Sequence, residues 1–223
     1  MPVETEIRKH SQSSPWTYRM LDARQRVVAE RVRAGAAGAI LFSEVAPVIT
    51  AGSRTPEADF IASGDELRGR GVDLYHTDRG GLATYHGPGM WLVFAVDSLE
   101  RMTGDRRGVR AAVEGLLACA VMVCREFGVD AWPGEGARSG LWCPGGKLAS
   151  LGIRIEKGIV LHGFALNVFR TPGSFYGIRP CGMEASAIAY LAEQCRFDAG
   201  FDALPGMIAT GLKNRFWVAP GPE

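Results

Sequence analysis

The chain has 223 residues, of which 47% are hydrophobic and 22% are charged, and this is the composition of an ordinary globular protein. Its net charge of +1 argues against nucleic-acid binding, because a protein that neutralises phosphates needs a surplus of basic residues. An apolar run of about 18 residues is absent, as is the apolar centre of a secretory signal, so we expect no membrane association.

The length fits a single domain over residues 1–223, with loose ends at about 1–14 and 213–223. We predict a first helix from Ser14-Pro15 to Gly35, because a capping side chain followed by proline is typical of a helix start and glycine of a helix end. Its apolar face would include Met20 and Val27, which recur at helical spacing. Two strands around a turn, a polar loop and two further strands follow, at 38–42, 47–51, 52–71, 72–77 and 90–96.

The second half of the chain is predicted to contain a long helix, an irregular glycine- and proline-rich segment, a hairpin, a second irregular segment and a helix, at 105–127, 133–147, 148–168, 170–182 and 183–197. The hairpin turns at the three-residue loop 156–158, which contains the required glycine. A short helix and a loose end follow Gly200. Strands and helices are mixed without strict alternation, so the predicted fold class is α+β (mixed α/β), with a mixed sheet packed against helices.

The segment from Asp78 to Gly89 lies between two predicted strands and is rich in glycine. Glycine lets a backbone approach a ligand closely and turn its N–H groups inward, while Arg79 and His86 add a fixed cation and a titratable ring. A long connection between strands would need the same glycines, so composition leaves both interpretations open. The segment lacks the lysine of a phosphate loop and the following helix of a dinucleotide-binding motif.

Pro180-Cys181-Gly182 lies in a loop that opens onto the last long predicted helix. The partial positive charge at a helix N-terminus stabilises a thiolate, and a nucleophilic cysteine needs such help at neutral pH. The alternative is a solvated loop cysteine without a function. Cys143 competes for the nucleophilic role, whereas we expect Cys119 and Cys124 to be core thiols. Five cysteines without a CxxC pair do not form a disulfide framework, which favours a cytoplasmic location.

Lys147 precedes the hairpin, and pairing of the two strands around 156–158 places it opposite Asn167, to within one residue. From Val168 the chain reaches Cys181 through a loop, so the lysine and cysteine side chains can meet at one edge of the sheet. A lysine beside a cysteine acts as its base or as the ammonium partner of its thiolate. The alternative is a lysine at a strand edge that discourages aggregation.

Strand alternation sends His162, Phe164 and Leu166 to one face of the hairpin, and Gly163 and Ala165 to the other. We expect His162 to be a hydrogen-bonded core residue, because it shares an apolar face. The small residues Gly163 and Ala165 leave space for an elongated apolar ligand, although close packing of a helix would need the same space. The four histidines are too scattered to predict a metal site, and no metal is expected.

Several sequence segments follow one another in a specific order over about residues 16–200. They are PVITAG at 47–52, RGG and TYHGPG within 79–89, Trp142 with KLASLGIR at 147–154, and HGFALN at 162–167 with PCG at 180–182. In this order they resemble the motifs of the lipoyl(octanoyl) transferase family, which is related to the catalytic domains of biotin and lipoate protein ligases.

The resemblance implies the fold of those ligases, with an acyl tunnel beside a mixed sheet. It implies octanoyl-acyl carrier protein as the donor and, as acceptors, the apo lipoyl domains of 2-oxoacid dehydrogenase E2 subunits and the glycine cleavage H protein. Cys181 would carry the acyl group as a thioester, and Lys147 would serve as its acid/base. The acyl site would be lined by Arg79, Gly80, Gly81, Leu82, Ala83, Thr84, Tyr85, His86, Ser150, Leu151, Gly152, Gly163, Phe164 and Ala165.

The chain departs from the family pattern at three places. Val45 replaces the histidine of a Glu-His pair, Met90 replaces a glutamine after Gly-Pro-Gly, and Phe94-Ala95 replaces Tyr-Pro. These changes leave Cys181 and Lys147 in place and concern the lining of the pocket, and therefore the preferred acyl length.

In the implied reaction the Cys181 thiolate attacks the donor thioester, while backbone N–H groups near Cys181 and in the glycine-rich loop hold the tetrahedral oxyanion. Lys147 gives a proton to the leaving carrier thiol and later takes one from the acceptor amine. No ATP or other cofactor is expected, because amide formation from a thioester is downhill. The alternatives are an ATP-dependent lipoate or octanoate ligase, a relay transferase between lipoyl domains, and a non-catalytic acyl-binding module.

Overall fold

The computed structural model describes residues 3–195 and 200–217. Within these residues the strands are β1 Glu4–Lys9, β2 Ala39–Glu44, β3 Val48–Ala51, β4 Asp73–His76, β5 Thr84–His86, β6 Met90–Ser98, β7 Trp132–Gly134, β8 Gly140–Cys143, β9 Gly146–Glu156 and β10 Ile159–Asn167. The α-helices are α1 Tyr18–Arg33, α2 Gly64–Gly69, α3 Leu99–Thr103, α4 Val109–Glu126, α5 Leu191–Gln194 and α6 Leu204–Phe216. No helix of this described part is long and apolar enough to cross a membrane.

A seven-stranded sheet with the order β1-β2-β6-β10-β9-β8-β7 forms the centre of the fold, beside a three-stranded sheet with the order β4-β3-β5. The larger sheet is mixed, since β1 pairs with β2 in parallel and the other neighbours are antiparallel, which confirms the predicted fold class. β6 and β10 are buried on both faces, because α4 and α6 cover one face and α1 covers the other. Burial of both faces explains why these strands are nearly continuous apolar runs.

The first predicted helix exists, but its start and its buried face differ from the prediction. Thr17 caps the helix by accepting a hydrogen bond from Met20 N–H, so α1 begins after Thr17 and not at the predicted proline. Met20 and Val27 are exposed, and the face that packs on the sheet includes the polar side chains of Asp22 and Gln25. The spacing of hydrophobic residues misses this face because two of its buried side chains are polar. Their burial is tolerated because they are hydrogen-bonded to each other, with Gln25 Nε2 donating to Asp22 Oδ1 over 2.7 Å.

The β9–β10 hairpin confirms the predicted pair of strands. Glu156 pairs with Ile159, so the turn has two central residues, Lys157 and Gly158, instead of three. Both have positive φ, 49° and 79°, which is the conformation of a type I′ turn. The resulting register lies within one residue of the predicted one.

Several predictions of irregular structure are wrong. Residues 1–14 contain β1, residues 52–71 contain α2, and residues 133–147 contain β8 and parts of β7 and β9. Residues 213–216 belong to α6, which packs beside α4, whereas 218–223 lie outside the described residues. Short elements of this kind are rich in glycine or charge, so their composition resembles that of loops.

Gly163 allows β10 to approach β6 closely. A Cβ atom at this position would lie 2.0 Å from Val93 O, so a side chain fits only if the backbone moves. We therefore expect Gly163→Ala to destabilise the protein by about 1–3 kcal/mol, as is typical of overpacking. Denaturant unfolding measures the change. The control is Gly206→Ala in α6, where nothing lies within 4 Å and alanine favours the helix. Equal stability of the two variants would contradict the close approach.

Candidate active site

A cavity of about 430 Å³ opens beside the β9–β10 hairpin. Of the residues that the sequence predicts at the site, its wall contains Lys147, Cys181, Arg79, Gly81, Leu82, Thr84, His86, Ser150, Leu151, Gly152, Gly163, Phe164 and Ala165. Sequence reasoning missed further residues of the wall, because they come from elements without a chemical motif: Tyr18, Arg54, Leu92, Phe94, Gly136 and Ser139.

Three predicted site residues lie outside the wall. Tyr85 is on the opposite face of β5 and packs against Phe175, with ring centres 5.5 Å apart. Ala83 contributes its backbone, since its carbonyl oxygen accepts the Cys181 N–H over 2.9 Å. Gly80 donates its N–H to the backbone of β9 over 3.1 Å, which holds the glycine-rich loop on the hairpin.

Cys181 lies in a tight turn over Pro180–Gly182, has a φ of +54°, and is partly exposed. Its Sγ lies 3.8 Å from Ser150 Oγ on β9. The predicted helix over 183–197 is wrong up to residue 195, where short 3₁₀ turns and α5 occupy the segment, and residues 196 and 197 lie outside the described chain. The thiol therefore does not face the N-terminus of a long helix, and this source of thiolate stabilisation is removed.

Lys147 is buried at the start of β9, and its Nζ lies 5.8 Å from the centre of the Trp142 ring. Among the described residues, no carboxylate lines the cavity around it. Its backbone oxygen accepts a hydrogen bond from Ala189 N–H over 3.0 Å, which ties β9 to the segment after Cys181. The lysine and the cysteine therefore line one cavity from two different elements.

The other four cysteines differ from Cys181 in their surroundings. Burial raises the pKa of Cys119 and of Cys124 to about 12, and it also raises the pKa of Cys143 and of Cys195. A thiol of raised pKa is a poor nucleophile at neutral pH, and none of these four lines the cavity. Within the described ranges, cysteines, histidines and carboxylates nowhere form a group of three that could hold a metal ion.

Arg79 is a buried cation that shapes the glycine-rich loop. Its guanidinium donates to Thr50 O over 2.8 Å, to Thr50 Oγ1 over 2.7 Å and to Leu82 O over 2.9 Å. Burial lowers the pKa of Arg79, whereas the negative charges of Tyr18 and Cys181 in their ionised forms oppose that shift. Because its acceptors are neutral, the charge of Arg79 remains available to a thiolate or another anion in the cavity.

His86 is held as a neutral ring beside Arg79. Two N–H groups of Arg79 donate to Thr50 Oγ1, so the Thr50 hydroxyl donates to His86 Nε2 over 3.0 Å and the ring carries its proton on Nδ1. Burial, reinforced by the charge of Arg79, lowers the pKa of His86 well below its ordinary value. The ring stacks on Tyr18 with centres 5.4 Å apart. His86 therefore serves as wall and not as an acid.

His162 is a fully buried, hydrogen-bonded residue, as predicted: its Nε2 lies 2.9 Å from Asp78 Oδ1, and its backbone N–H donates to Gln25 Oε1 over 2.8 Å. The predicted face is wrong. A φ of +61° turns the ring towards α1, where it packs edge to face with Phe94, with ring centres 5.3 Å apart. Phe164, by contrast, packs on the α4 side of the sheet. This local kink in β10 places an aromatic ring in the cavity wall.

The fold defines a class of catalytic domain. Over 96% of this chain and 86% of that chain, the structure resembles a T. acidophilum protein with bound lipoic acid, at a TM-score of 0.78 and 17% identity. Lipoate-protein ligase A bound with ATP gives a TM-score of 0.73 and 18% identity over 96% of this chain and 85% of that chain. The fold is therefore that of the biotin and lipoate protein ligases, as predicted.

Sequence comparison then gives the family. The model of the lipoyl protein ligase A/B catalytic domain matches residues 17–212. An octanoyltransferase of Acidiphilium cryptum (strain JF-5) is 35% identical over 202 residues, which cover 87% of this chain and 85% of the relative. The chain belongs to the lipoyl protein ligase A/B catalytic domain family. The resemblance to lipoyl(octanoyl) transferases is confirmed, and with it the prediction of an acyltransferase.

Proposed function

We propose that the chain transfers an octanoyl group from octanoyl-acyl carrier protein to the lysine of apo lipoyl domains through a thioester on Cys181, in the first step of endogenous lipoate biosynthesis. The similarity to an octanoyltransferase supports octanoyl as the transferred group and acyl transfer as the reaction. The proposed roles of Cys181 as nucleophile and Lys147 as acid/base are supported by one observation, that both residues line the same cavity. The acceptors would be lipoyl domains of 2-oxoacid dehydrogenase E2 subunits and the glycine cleavage H protein, in the cytoplasm.

The cavity wall provides a seat for an apolar chain. Leu82, Leu92, Phe94, Leu151 and Ala165 contribute apolar side chains to the wall. Each methylene group that leaves water for such a surface gains about 0.8 kcal/mol, so an octanoyl chain binds largely through its tail. This supports a medium-chain acyl group as the cargo.

In the first half-reaction the Cys181 thiolate attacks the carbonyl carbon of the donor thioester, and a new C–S bond forms as the carrier thiolate leaves and takes a proton from Lys147. The charge of Arg79 stabilises the attacking thiolate. In the second half-reaction the acceptor amine attacks the acyl-cysteine, Lys147 takes its proton, and an amide bond forms as the C–S bond breaks. ATP is not consumed, because a thioester already carries the required activation.

The oxyanion contacts differ from the sequence-based expectation near the nucleophile. The N–H groups of Cys181 and Gly182 already donate to Ala83 O and Arg179 O, over 2.9 and 3.0 Å. The N–H groups of residues 81 and 82 in the glycine-rich loop donate to no acceptor within the described residues, and both residues line the cavity. These two groups are our candidates for holding the oxyanion.

An ATP-dependent ligase is the main alternative, because the ligases share this fold. A ligase activates a free acid as its adenylate, and Cys181 would have no role in that reaction. Octanoylation of a lipoyl domain from free octanoate and ATP would nevertheless support the ligase. A relay transferase would differ only in its donor, which would be an octanoylated lipoyl domain rather than the carrier protein.

Cys181→Ser is expected to abolish transfer, because a serine hydroxyl at neutral pH does not replace the thiolate. After incubation with octanoyl-acyl carrier protein, the unmodified enzyme should gain the mass of one octanoyl group that hydroxylamine removes, and the variant should not. Cys143→Ser is the matched control and should load normally. Acyl label mapped to Cys143, or turnover by Cys181→Ser, would refute the assignment.

Lys147→Ala is expected to slow acyl loading by about 10²–10⁴-fold, the usual cost of a lost acid/base group. Single-turnover loading from octanoyl-acyl carrier protein, followed by mass across a range of pH, measures the effect. Lys157→Ala, at the exposed hairpin turn, removes the same charge away from the cavity and should leave loading unchanged. Normal loading by Lys147→Ala would show that the lysine has another role.

Ala165→Leu is expected to fill part of the cavity and to shift preference towards shorter acyl groups. Exclusion of two methylenes at about 0.8 kcal/mol each would cost the octanoyl donor roughly tenfold in binding. Rates with butanoyl, hexanoyl and octanoyl carrier protein measure the shift, and a thermal melt shows whether the variant is merely overpacked. A lower melting temperature with an unaltered length profile would place the acyl chain elsewhere.

A further inference from the structure

The cavity wall is cationic. Arg54, Arg79 and Lys147 belong to it, and no carboxylate of the described chain does, although the whole chain has a net charge of only +1. Arg79 and Lys147 are buried, whereas Arg54 is exposed and therefore lies where the cavity meets solvent. Arg138 is also exposed and lies between Gly136 and Ser139, which are both residues of the wall.

A backbone hydrogen bond fixes the loop that contains Arg54, and the Trp142 ring packs against the guanidinium of Arg138. The N–H of Arg54 donates to Gly81 O over 3.2 Å, which attaches its loop to the glycine-rich loop. The Arg138 guanidinium lies 4.2 Å from the centre of the Trp142 ring, and Arg138 O accepts the Trp142 Nε1–H over 2.6 Å.

Both guanidinium groups also lack an acidic partner. The described chain pairs Arg68, Arg106 and Arg170 with carboxylates, but it forms no such pair with Arg54 or Arg138. The acidic residues nearest in sequence to Arg138 and to the Cys181 turn are Glu135 and Glu184, and neither lines the cavity. Two exposed cations without carboxylate partners in the described chain therefore lie beside the cavity, Arg54 in its wall and Arg138 between two residues of the wall.

A lysine acceptor meets an electrostatic problem at the mouth of such a cavity. Its ammonium group is repelled by the exposed arginines and by the buried Arg79, and like charges at short range disfavour the protonated form. Repulsion promotes the neutral amine that the reaction needs, but it also opposes approach. Carboxylates next to the acceptor lysine would offset the repulsion by pairing with the arginines, and guanidinium groups suit such pairing.

We propose that Arg54 and Arg138 form a docking surface for the acceptor, and that they select a lysine flanked by aspartate or glutamate. The inference rests on the proposed acyl transfer. The acceptor is favoured over the donor as the occupant because a lysine side chain is shorter than the prosthetic arm of a carrier protein. The residues beside an inserted lysine therefore reach the mouth, whereas the body of a carrier stays farther away.

The test isolates the second half-reaction. Enzyme is loaded on Cys181 with the neutral thioester octanoyl-N-acetylcysteamine, and complete loading is verified by mass. It is then mixed with an apo lipoyl domain in which the two residues flanking the lysine are Asp, Asn or Lys. We expect the unmodified enzyme to transfer to the Asp domain at least tenfold faster than to the Lys domain at low salt. The difference should shrink at high salt, where charges are screened.

Charge reversal supplies the matched variants. The double variant Arg54→Glu/Arg138→Glu should reverse the preference and favour the Lys domain, which a merely damaged protein would not do. Arg107→Glu changes an exposed arginine before α4 and should keep the original preference. Equal rates for the three domains with the unmodified enzyme, or an unchanged preference in the double variant, would overturn the proposal.

Two further outcomes remain distinguishable. If the double variant slows loading from octanoyl-acyl carrier protein, but not transfer to the three domains, then the arginines dock the donor and the proposal is wrong. If the unmodified enzyme gains no octanoyl group from either thioester, then the proposed acyl transfer itself fails.

Discussion

The candidate site depends on one buried amide. Asn167, at the end of β10, donates its Nδ2 hydrogens to Lys147 O over 3.1 Å and to Ala189 O over 3.2 Å. Lys147 O also accepts the Ala189 N–H, so the hairpin, the start of β9 and the segment after Cys181 are joined at one point. A buried acceptor that loses its donor costs about 1–3 kcal/mol, so these bonds resist any shift of the segment around Ala189 relative to Lys147.

The cavity is positively charged because its wall contains the buried Arg79 and, among the described residues, no carboxylate. Arg79 is satisfied by hydroxyl and carbonyl oxygens, so its positive charge is not cancelled inside the wall. Burial, reinforced by the same charge, lowers the pKa of His86 and keeps its ring neutral. The result is a wall that favours anions, and the two species of the proposed reaction that need stabilisation, the thiolate and the tetrahedral oxyanion, are both anionic.

The sequence predicts those parts of the fold where local signals agree with tertiary contacts. The hairpin was predictable because Lys157-Gly158 suits a tight turn, and α4 because its apolar spacing matches its packing. The predicted helix fails over residues 183–190 because Ala189 N–H bonds to Lys147 O, and tertiary pairing overrides a local helical pattern. The prediction missed the strands within 133–147 because glycine-rich sequence is typical of loops. In the structure Gly134 is needed for close packing, since a Cβ at this position would lie 2.1 Å from Arg138 O.

The site divides in the same way. Cys181 and Lys147 have side chains whose reactivity a sequence can show, and the predicted hairpin register brings them near the same edge of the sheet, where both line one cavity. Tyr18 and Arg54 could not be found, since α1 and the loop after β3 reach the cavity only through the assembled fold. Nothing in strand alternation indicates the positive φ of His162, which reverses the direction of its ring.

The structure shows that most of the departures from the family pattern lie away from the cavity. Val45, Met90 and Ala95 are each buried in one of three separate apolar clusters, and none of them lines the cavity, so they do not concern the acyl lining as expected from the sequence. Phe94 does line it and meets Tyr18 and His162 edge to face. A tyrosine here would bring a hydroxyl that needs a hydrogen-bond partner, whereas phenylalanine adds only apolar surface. The one departure that reaches the cavity therefore makes its wall more apolar, and an alkyl chain gains from that change.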